Sequence, residues 1–319
     1  MQGAIPKQMK AAAIDKFGGP EVLHTETLPV PKPKAGQVLI RLDSAGIGVW
    51  DPYVRSGELE LGKRDFPQVI GNDGAGEVVA VGDRVKRHRV GDRVYAFGME
   101  GGFYAEYVAI DENLVAPIPQ GLSPDEAGAL GADGITALIG LDDQLKLQRG
   151  ESLMVYGASG GIGHLALQLA KRMGARVLAV ASGADGLELV RRLGADDAVD
   201  GKRDDVPQAV RQFAPKGLDA ALVLVHGEGL EAALTLINKG GRFAYPHGVE
   251  PEPRAPSGVK SLPYDGTPSP DAFERLNRLI AAGPFHIEVG GVYQLENAAQ
   301  AHRELERHHL GKLAFRIHA

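Results

Sequence analysis

Hydrophobic and polar positions follow two different patterns along the chain. Up to about residue 121, short β-rich segments at 38–42, 76–81, 93–97 and 105–110 are separated by Gly and Pro. This punctuation predicts short strands, the first of them starting near Lys10. The first third of the chain is therefore predicted to be an all-β module.

A helix start marks the change of pattern. Ser123-Pro-Asp-Glu126 combines an N-cap Ser, a Pro at the first helical position and a Glu that closes a capping box, and it opens a helical region to about 147. Apolar strands and helices then alternate, which predicts a parallel sheet covered on both faces. The predicted strands are 153–156, 176–181, 218–225, 241–245 and, more weakly, 259–264; the predicted helices are 163–173 and 185–193. From 269 onward, helices mix with strand-like segments such as 312–317.

A glycine-rich turn lies between the first of these strands and the helix that follows it. The segment reads Tyr156-Gly-Ala-Ser-Gly-Gly-Ile-Gly163. Glycines permit a tight bend and close approach to a pyrophosphate, and the free N–H groups of the helix start hold the anion. This context favours dinucleotide binding, with a plain strand-to-helix turn as the alternative. The predicted cofactor-binding residues of the turn are Gly157, Ala158, Ser159, Gly160, Gly161, Ile162 and Gly163.

Composition limits the classes of function. The 319 residues, 44% of them hydrophobic, are enough for two domains with cores of their own. A net charge of −6 without a basic block gives no footprint for nucleic acid or an anionic membrane, so a small-molecule substrate is expected. The absence of Cys excludes disulfides, thiolate zinc sites and cysteine nucleophiles. Because neither a signal peptide nor an apolar run of about 18 residues is present, we predict a cytoplasmic protein.

Several further segments carry a resemblance to a known family. The chain resembles the zinc-independent medium-chain dehydrogenases/reductases of the quinone oxidoreductase type. The resemblance implies an α/β fold in which a Rossmann domain with a doubly wound parallel sheet (123–265) is inserted in a GroES-like β-rich substrate domain (1–122 and 266–319). It also implies an active site in the cleft and a homodimer paired through the Rossmann domains. Besides the glycine turn, the matching segments are Met9-Lys-Ala-Ala-Ala-Ile, VIGNDGAGEVVAVG (69–82), VGDRVYAF (90–97), GFYAEYV (102–108), Gly134-Ile-Thr-Ala137, Leu193-Gly-Ala-Asp196, AAQAH (298–302) and GKL (311–313).

The metal-binding positions of the zinc members are altered in this chain. By the resemblance, Gly48 stands where those members have a Cys ligand, and Asn72 stands where they have a His ligand. Gly has no donor atom and Asn is a poor zinc ligand, so no metal site is predicted there. Without a Lewis acid, hydride transfer to an acceptor that is already electrophilic is favoured over alcohol oxidation. Quinones and α,β-unsaturated carbonyl compounds are such acceptors.

The predicted catalytic residues are Tyr53 and Asp51. By the resemblance, Tyr53 reaches the substrate pocket, where its phenol donates a hydrogen bond to the acceptor oxygen or relays a proton; the alternative is packing in a domain interface. Asp51 is interpreted mainly as holding the loop. Gly48 departs from the Asn that quinone oxidoreductases commonly carry, which removes an amide from the quinone site. Trp50 is either an apolar wall of the pocket or part of the core.

Residues outside the glycine turn extend the predicted NADP(H) site. By the resemblance, Thr136 matches a position whose hydroxyl lies near the nicotinamide in relatives, although this hydroxyl could instead bond the preceding helical turn. His226 and Gly227 follow a strand at the carboxyl edge of the sheet. Ser182 ends the second Rossmann strand without a charge that would repel a 2′-phosphate, which favours NADPH.

The positive half of that preference rests on a neighbouring segment. Relatives often have Lys where Gly186 stands and Tyr where Gly201 stands, so Lys202 and Arg203 are predicted to reach the phosphate instead. Asp185 argues against the preference unless it caps the helix.

The predicted function is hydride transfer from NADPH to a quinone or an α,β-unsaturated carbonyl compound, without zinc. One alternative is an enal or enone reductase without quinone activity. Another, of a different class, is a non-catalytic NADPH-binding structural or regulatory protein, as in the lens crystallins among the relatives.

Overall fold

The fully parallel sheet of this chain is separate from the sheets in which most strands pair antiparallel. The computed structural model describes residues 4–60 and 65–318. These residues form two compact units. Unit 1 comprises the described parts of Met1–Ala132, Pro268–Glu274 and Val289–Ala319, and unit 2 comprises Asp133–Thr267 and Arg275–Glu288. The domain boundaries given above stay a prediction.

The strands are numbered in chain order over the described residues. They are β1 (Gln8–Ile14), β2 (His24–Pro29), β3 (Gln37–Ile47), β4 (Gln68–Val69), β5 (Asp73–Val81), β6 (Arg93–Phe97), β7 (Tyr107–Asp111), β8 (Val115–Pro117), β9 (Ser152–Tyr156), β10 (Arg176–Ala181), β11 (Asp197–Asp200), β12 (Leu218–Val223), β13 (Ile237–Pro246), β14 (Lys260–Tyr264), β15 (Val289–Tyr293) and β16 (Lys312–Arg316).

The helices are numbered in the same way. They are α1 (Asp51–Ser56), α2 (Pro124–Gly128), α3 (Gly131–Leu138), α4 (Gly161–Met173), α5 (Gly183–Arg192), α6 (Val206–Phe213), α7 (Leu230–Leu234), α8 (Pro270–Ala281) and α9 (Ala298–Leu305). Short 3₁₀ helices occur at Pro20–Val22, Glu112–Leu114 and Leu295–Asn297, and a π-helical segment, Ile139–Gln144, continues α3.

Unit 1 contains two sheets whose strands are mostly antiparallel. One sheet has the order β2-β1-β4; the other has the order β15-β16-β3-β5-β6-β8, with β7 also paired to β3. The long strand β3 is buried along most of its length because β5, β7 and β16 all pair with it. Its apolar side chains join a core with Val78 and Val94. This unit confirms the predicted β-rich, GroES-like part of the fold.

Unit 2 contains a six-stranded parallel sheet in the order β11-β10-β9-β12-β13-β14. Counted within this sheet alone, the order is 3-2-1-4-5-6, that of doubly wound dinucleotide-binding folds. All residues of β9 are buried, as expected for a central strand with both faces covered. The predicted α/β fold with a Rossmann sheet is confirmed. Ligands of such sheets bind at the carboxyl ends of the strands where the order reverses, here β9 and β12.

The predicted elements differ from the observed ones mainly at their ends. α4 begins at Gly161 and α5 at Gly183, two residues before each predicted start, because Gly160 and Ser182 are the N-caps. The strand β11 was not predicted, since its four residues carry Asp at both ends and show no apolar run. No helix of the described residues is long and apolar enough to cross a membrane.

Candidate functional site

The glycine turn of unit 2 is fixed to the sheet through its backbone. The N–H groups of Gly157 and Ala158 both donate to the carbonyl of Val180 on β10, at 3.0 and 2.9 Å. Gly157 has φ +92°, a left-handed conformation that side chains disfavour. The turn after β9 therefore has one defined path into α4.

The other two glycines of the turn meet different surroundings. A Cβ added to Gly163 would lie 2.1 Å from the Gly157 carbonyl oxygen, so only glycine lets α4 pack this closely. A Cβ added to Gly160 would meet only that same oxygen, at 3.6 Å, which leaves open space beside the N-cap. No side chain caps the α4 N-terminus. The backbone thus fits an anion such as a pyrophosphate, which would lie against free N–H groups at the positive end of the helix dipole.

A buried histidine at the start of α4 connects the glycine turn to the segment around Glu288. Nε2 of His164 accepts a hydrogen bond from the Glu288 backbone N–H at 3.0 Å, so its Nδ1–H donates to the Gly160 carbonyl at 2.9 Å. Burial lowers the pKa of His164 to about 4, which keeps the ring neutral. The segment around Glu288 is thereby tied to the start of the glycine turn.

The end of β10 carries a carboxylate that sequence analysis did not single out. Ser182 is the N-cap of α5, but its side chain makes no capping hydrogen bond. Instead, the buried Asp200 at the end of β11 accepts from the Gly183 N–H at 3.3 Å and from the Lys202 N–H at 2.9 Å. The Asp185 side chain accepts from the Gly186 N–H at 2.9 Å. Two carboxylates therefore bond amides of the first turn of α5, beside Ser182.

Gly186 lies close to the glycine turn. A Cβ at Gly186 would lie 3.1 Å from the Ser159 hydroxyl oxygen, so α5 approaches the glycine turn closely at this point. Ser159 itself is buried against α5. Lys202 and Arg203 are both exposed and follow β11 directly. The structure thus brings Ser182, Lys202 and Arg203 to the same edge of the sheet.

The loop after β12 lies beside the glycine turn. A Cβ at Gly157 would be 3.0 Å from a side-chain methyl group of Val225, and a Cβ at Gly227 would be 2.6 Å from the Tyr156 hydroxyl. That hydroxyl donates to the Glu228 carbonyl at 2.7 Å. The half-buried His226 ring lies 3.5 Å from the Glu231 carboxylate. His226 and Gly227 therefore lie at the carboxyl edge, as predicted from their place after a strand.

Thr136 lies in α3, against the strand end of β14. The Tyr264 hydroxyl donates to the Thr136 carbonyl at 3.1 Å, and a Cβ at Gly266 would lie 2.1 Å from the Thr136 hydroxyl oxygen. Only glycine at 266 leaves this hydroxyl its present place. The role of Thr136 toward a nicotinamide stays a prediction.

In unit 1, Asp51 is buried and accepts hydrogen bonds from three directions. Its Oδ2 accepts from the Gly48 N–H at 2.7 Å and from the Tyr104 hydroxyl at 2.6 Å. Its Oδ1 accepts a longer bond, 3.4 Å, from Nδ2 of Asn72. Burial raises the pKa of Asp51 to about 6, against the opposing effect of the bonds from Tyr104 and Gly48. The carboxylate holds the loop between β3 and α1.

Behind Asp51, hydrogen bonds continue through three more buried side chains. Arg55 NH1 lies 2.8 Å from His302 Nδ1, and His302 Nε2 lies 3.1 Å from the Tyr104 hydroxyl. Burial, with a further contribution from Arg55, lowers the pKa of His302 to about 3, so the ring is neutral. Because Arg55 only donates, Nδ1 accepts and Nε2–H donates to Tyr104. The four side chains form a chain of donors that ends on the Asp51 carboxylate.

Tyr53 lies on the exposed side of α1. Its side chain is 52% exposed, and among the described residues its hydroxyl has no hydrogen-bond partner. It lines a cavity of about 320 Å³ together with Arg55, with Leu305 at the end of α9 and with Glu306, which follows that helix. Its catalytic role stays a prediction.

The two zinc-ligand positions of the zinc-dependent relatives come together around Asp51. Gly48 donates its N–H to Asp51, and Asn72 donates its amide to the same carboxylate. At the first position Gly48 offers no side-chain ligand atom, and at the second Asn72 offers an amide. Elsewhere in unit 1, Asp15, His24 and Glu26 have side-chain atoms within 4.8 Å of one another on the exposed β1–β2 hairpin, where Nε2 of His24 lies 3.3 Å from an Asp15 oxygen and 3.7 Å from a Glu26 oxygen.

A second buried charge pair fixes the strand that follows Asn72. Nζ of Lys312 lies 2.6 Å from Oδ2 of Asp73, and both side chains are almost fully buried. The same carboxylate oxygen accepts from the Ala132 N–H at 2.9 Å. A Cβ at Gly46 would lie 2.5 Å from Asp73, so the glycine makes room for the pair. The start of β5 is thus bonded both to β16, which lies on the other side of β3 in the same sheet, and to the start of α3.

Comparisons with known proteins agree with this architecture. The family described as "Zinc-binding dehydrogenase" matches residues 161–256, and "Alcohol dehydrogenase GroES-like domain" matches residues 34–120. The quinone oxidoreductase of Mus musculus is 31% identical over 94% of this chain and 94% of its own length. The chloroplastic NADPH-dependent alkenal/one oxidoreductase of Arabidopsis thaliana is 33% identical over 96% of this chain and 78% of its own length. The crystal structure of an NAD-dependent alcohol dehydrogenase, 32% identical, matches with a TM-score of 0.88 over 97% of this chain and 100% of that one.

Proposed function

We propose a function for this chain, which belongs to the quinone oxidoreductase-like group of the medium-chain dehydrogenase/reductase superfamily. It transfers a hydride from NADPH to a quinone or an α,β-unsaturated carbonyl compound, without zinc. That it is an oxidoreductase follows from relatives such as the quinone and alkenal/one oxidoreductases. The acceptor, the choice of NADPH and the residue roles are the proposal. The protein would act in the cytoplasm on a small molecule.

One observation carries the proposal: Gly48 and Asn72 surround a carboxylate instead of a metal ligand set. Asp51 accepts hydrogen bonds from both residues. The two positions that would have to supply metal ligands therefore supply hydrogen-bond donors to this carboxylate instead. An alcohol needs a Lewis acid or a strong base to release its proton, and these residues supply neither. A conjugated carbonyl needs only hydrogen-bond donors, because its oxygen takes up charge as hydride adds to carbon.

The residues of unit 2 fit a dinucleotide. The turn from Gly157 to Gly163 offers backbone N–H groups and the open space beside Gly160 for the pyrophosphate. His226 and Gly227 border the same edge, and Thr136 contributes from α3. The bound nicotinamide supplies the hydride. The protein's part is to orient the two reactants and exclude water.

Tyr53 is the proposed acid on the acceptor side. Its phenol is exposed, and the neighbouring Arg55 is committed to His302 and to the Gly18 carbonyl. A phenol O–H can donate to the developing enolate or hydroquinone oxygen. Tyr53→Phe should lower kcat about tenfold or more, with cofactor affinity unchanged, since general acids contribute roughly 10²–10⁴-fold. Equal kinetic constants for Tyr53→Phe with several acceptors would leave Tyr53 as an exposed surface residue.

The NADPH preference rests on Ser182, Lys202 and Arg203. Ser182 carries no charge and its hydroxyl is free to donate, while the two cations lie on the adjacent strand end. The carboxylate of Asp200 opposes this preference, although it is neutralised in part by two backbone amides. Comparing kcat/KM for NADPH and NADH in the wild type and in Lys202→Ala/Arg203→Ala tests the assignment. Equal or better use of NADH by the wild type defeats the preference, and an unchanged ratio in the variant defeats only the role of the two cations.

A panel of acceptors tests the function as a whole. NADPH oxidation should depend on added quinones, enals or enones and should persist after treatment with a chelator. Activity with enals and enones alone would favour the second candidate, an alkene reductase, which the alkenal/one relative supports. No turnover with any acceptor, together with tight NADPH binding, would favour a non-catalytic role. Loss of activity on chelation would contradict zinc independence, and zinc bound only at the exposed His24 cluster would not.

A further inference from the structure

Asn72, beside the buried Asp51, has a polar side chain that the proposed mechanism does not yet use. Asn72 is half-buried, and Gly48, which bonds the same carboxylate, has no side chain; a Cβ there would be in ordinary contact with Asp51, at 3.5 Å. The backbone of Asn72 is fixed by a 2.8 Å hydrogen bond from Gly98 N–H to its carbonyl. The residue therefore has a rigid main chain and a side chain that is partly accessible.

Asp51 determines which way the amide of Asn72 faces. An ionised carboxylate only accepts hydrogen bonds, so the amide must turn its nitrogen, and not its oxygen, toward Asp51. The observed bond uses one of the two N–H groups of Nδ2. The other N–H lies in the amide plane about 120° away, as planar amide geometry requires. It is not directed at the carboxylate.

The buried side chains behind Asp51 keep this orientation. Tyr104 donates to Asp51, His302 donates to Tyr104, and Arg55 donates to His302. Every donor in this row points the same way, so the Asp51 carboxylate receives bonds and gives none. Reversing the amide would place its oxygen against the carboxylate and leave both without a proton. The side chains of Arg55, Tyr104 and His302 thus fix the Asp51 carboxylate, and this carboxylate orients the Asn72 amide.

We propose that Asn72 is a catalytic hydrogen-bond donor, whose second Nδ2–H binds the oxygen of the quinone or enone while Asp51 holds the amide in place. The inference rests on the proposed function. As hydride adds to the conjugated carbon, the π electrons move to the oxygen and give an enolate or hydroquinone anion. Asn72 donates a hydrogen bond to that anion and transfers no proton. A proton from Tyr53 or solvent then completes the product.

The chemistry of this donor indicates the acceptor class. A neutral amide one bond away from a buried carboxylate lies in a field that disfavours acceptors with a carboxylate of their own. It suits an uncharged carbonyl oxygen that becomes negative only in the transition state. Such a donor strengthens its bond as charge develops, which raises kcat more than it lowers KM. Uncharged quinones, enals and enones are thus favoured over conjugated acids.

Asn72→Leu tests the donor, because leucine is similar in size and donates nothing. We expect kcat to fall about 10²-fold with KM changed less than about fivefold, as for the loss of one oxyanion donor. Asn72→Gln keeps an amide and should recover part of the loss. The matched control is Asn113→Leu, since Nδ2 of Asn113 donates to Asp111 at 2.9 Å in an exposed turn of the same unit. The control should leave both constants unchanged.

A binding measurement tests the donor without turnover. 4-Nitrophenol resembles a hydroquinone anion when ionised, and its phenolate absorbs in the visible range. With NADP⁺ present, the wild type should bind the phenolate and lower the pH at which the bound phenol ionises, and Asn72→Leu should bind about tenfold more weakly without that shift. Equal kinetics and equal phenolate binding in a folded Asn72→Leu would overturn the inference. Absence of turnover in the wild type would overturn the proposed function, and the phenolate titration would still decide on Asn72.

Discussion

The glycine turn of unit 2 and the Asp51 region of unit 1 are built from opposite materials. In the turn, backbone amides and missing side chains make the site: Gly160 leaves space and Gly163 permits close packing. Around Asp51, side chains make the site, and four of them are joined by hydrogen bonds while buried. The glycine turn depends on residues that have no side chain, whereas the Asp51 region depends on charged and hydrogen-bonding side chains.

This difference predicts different sensitivities. The backbone groups of the turn do not themselves titrate, but a single added methyl group is costly there because a carbonyl in a packed turn cannot easily move aside. A buried side-chain network depends on matched donors, acceptors and charges, and it is strongly destabilised when one partner of a charge pair is removed. The two units should therefore fail in different ways under mutation and acid.

Removing the buried cation of unit 1 should have the largest effect. In Lys312→Met the carboxylate of Asp73 stays buried without its partner, and breaking such a pair costs about 3–5 kcal/mol. The one Trp of the chain, Trp50, reports unfolding of unit 1 through its fluorescence. Its unfolding midpoint in urea should fall well below that of the wild type.

An exposed pair provides the control for Lys312. Lys10 and Glu296 also form an ion pair in unit 1, but both side chains are about half exposed, at 48% each. Lys10→Met should shift the Trp50 transition only slightly, because exposed pairs contribute little. Equal shifts in the two variants would show that the Lys312 pair is not the stabilising contact that its burial indicates.

Acid should destabilise unit 2 before unit 1. Burial holds the folded pKa of His164 at about 4, below the usual 6.5, so the unfolded state binds a proton first. Stability from this residue is complete above pH 6.5 and is lost as the pH falls toward 4, by roughly 3 kcal/mol in all. In unit 1, His302 acts in the same direction, but Asp51, with its raised pKa of about 6, gains stability on protonation as the pH falls below 6. The two effects in unit 1 oppose each other.

Thermal melting between pH 7.5 and 4.5 distinguishes the units. Trp50 fluorescence follows unit 1, and far-UV circular dichroism follows the helices of both units. We expect the dichroism midpoint to fall more steeply with acid than the fluorescence midpoint. His164→Asn, which cannot take up a proton, should reduce that difference, and parallel curves for wild type and His164→Asn would contradict the assignment to His164.

The sequence predicts one of these regions much better than the other. Gly157, Gly160 and Gly163 occur within seven residues between a strand and a helix, so their local spacing indicates both the turn and its ligand. The residues that join Asp51 come from α1, from the segment before β7 and from α9. Tyr104 and His302 lie within segments that resemble the family, but nothing local relates them to Asp51. Burial and pairing decide their role, and these arise only in the folded chain.

The positions of Asp200 and Tyr53 in the fold could not be predicted from local sequence either. Asp200 ends a strand too short and too polar to be predicted, so its carboxylate at the start of α5 was not expected. Tyr53 was singled out by resemblance alone, and its exposure depends on which face of α1 turns outward. The six residues of α1 are too few for a clear apolar periodicity.

The smallest changes give the sharpest test of the glycine turn. Gly163→Ala places a methyl group 2.1 Å from the Gly157 carbonyl, so α4 or the turn must shift, at a cost of about 1–3 kcal/mol. Gly160→Ala places the same group at 3.6 Å from the nearest atom, in a backbone conformation with φ −80° that alanine adopts freely. The folded state should therefore accept Gly160→Ala with little change in melting temperature.

Gly160→Ala should weaken nucleotide binding even though it has little effect on folding stability. Its methyl group would stand in the open space at the α4 N-terminus, where an anion approaches the N–H groups, so NADPH affinity should fall about tenfold although stability is kept. A fluorescence titration with NADPH, beside a melting curve for each variant, measures both quantities. If Gly160→Ala binds NADPH like the wild type, the pyrophosphate does not lie at this turn. If Gly163→Ala is as stable as the wild type, the close packing of α4 on Gly157 does not require glycine. The two variants add the same methyl group three residues apart, close to the Gly157 carbonyl in one case and away from it in the other. Together they separate the role of the turn in ligand binding from its role in folding.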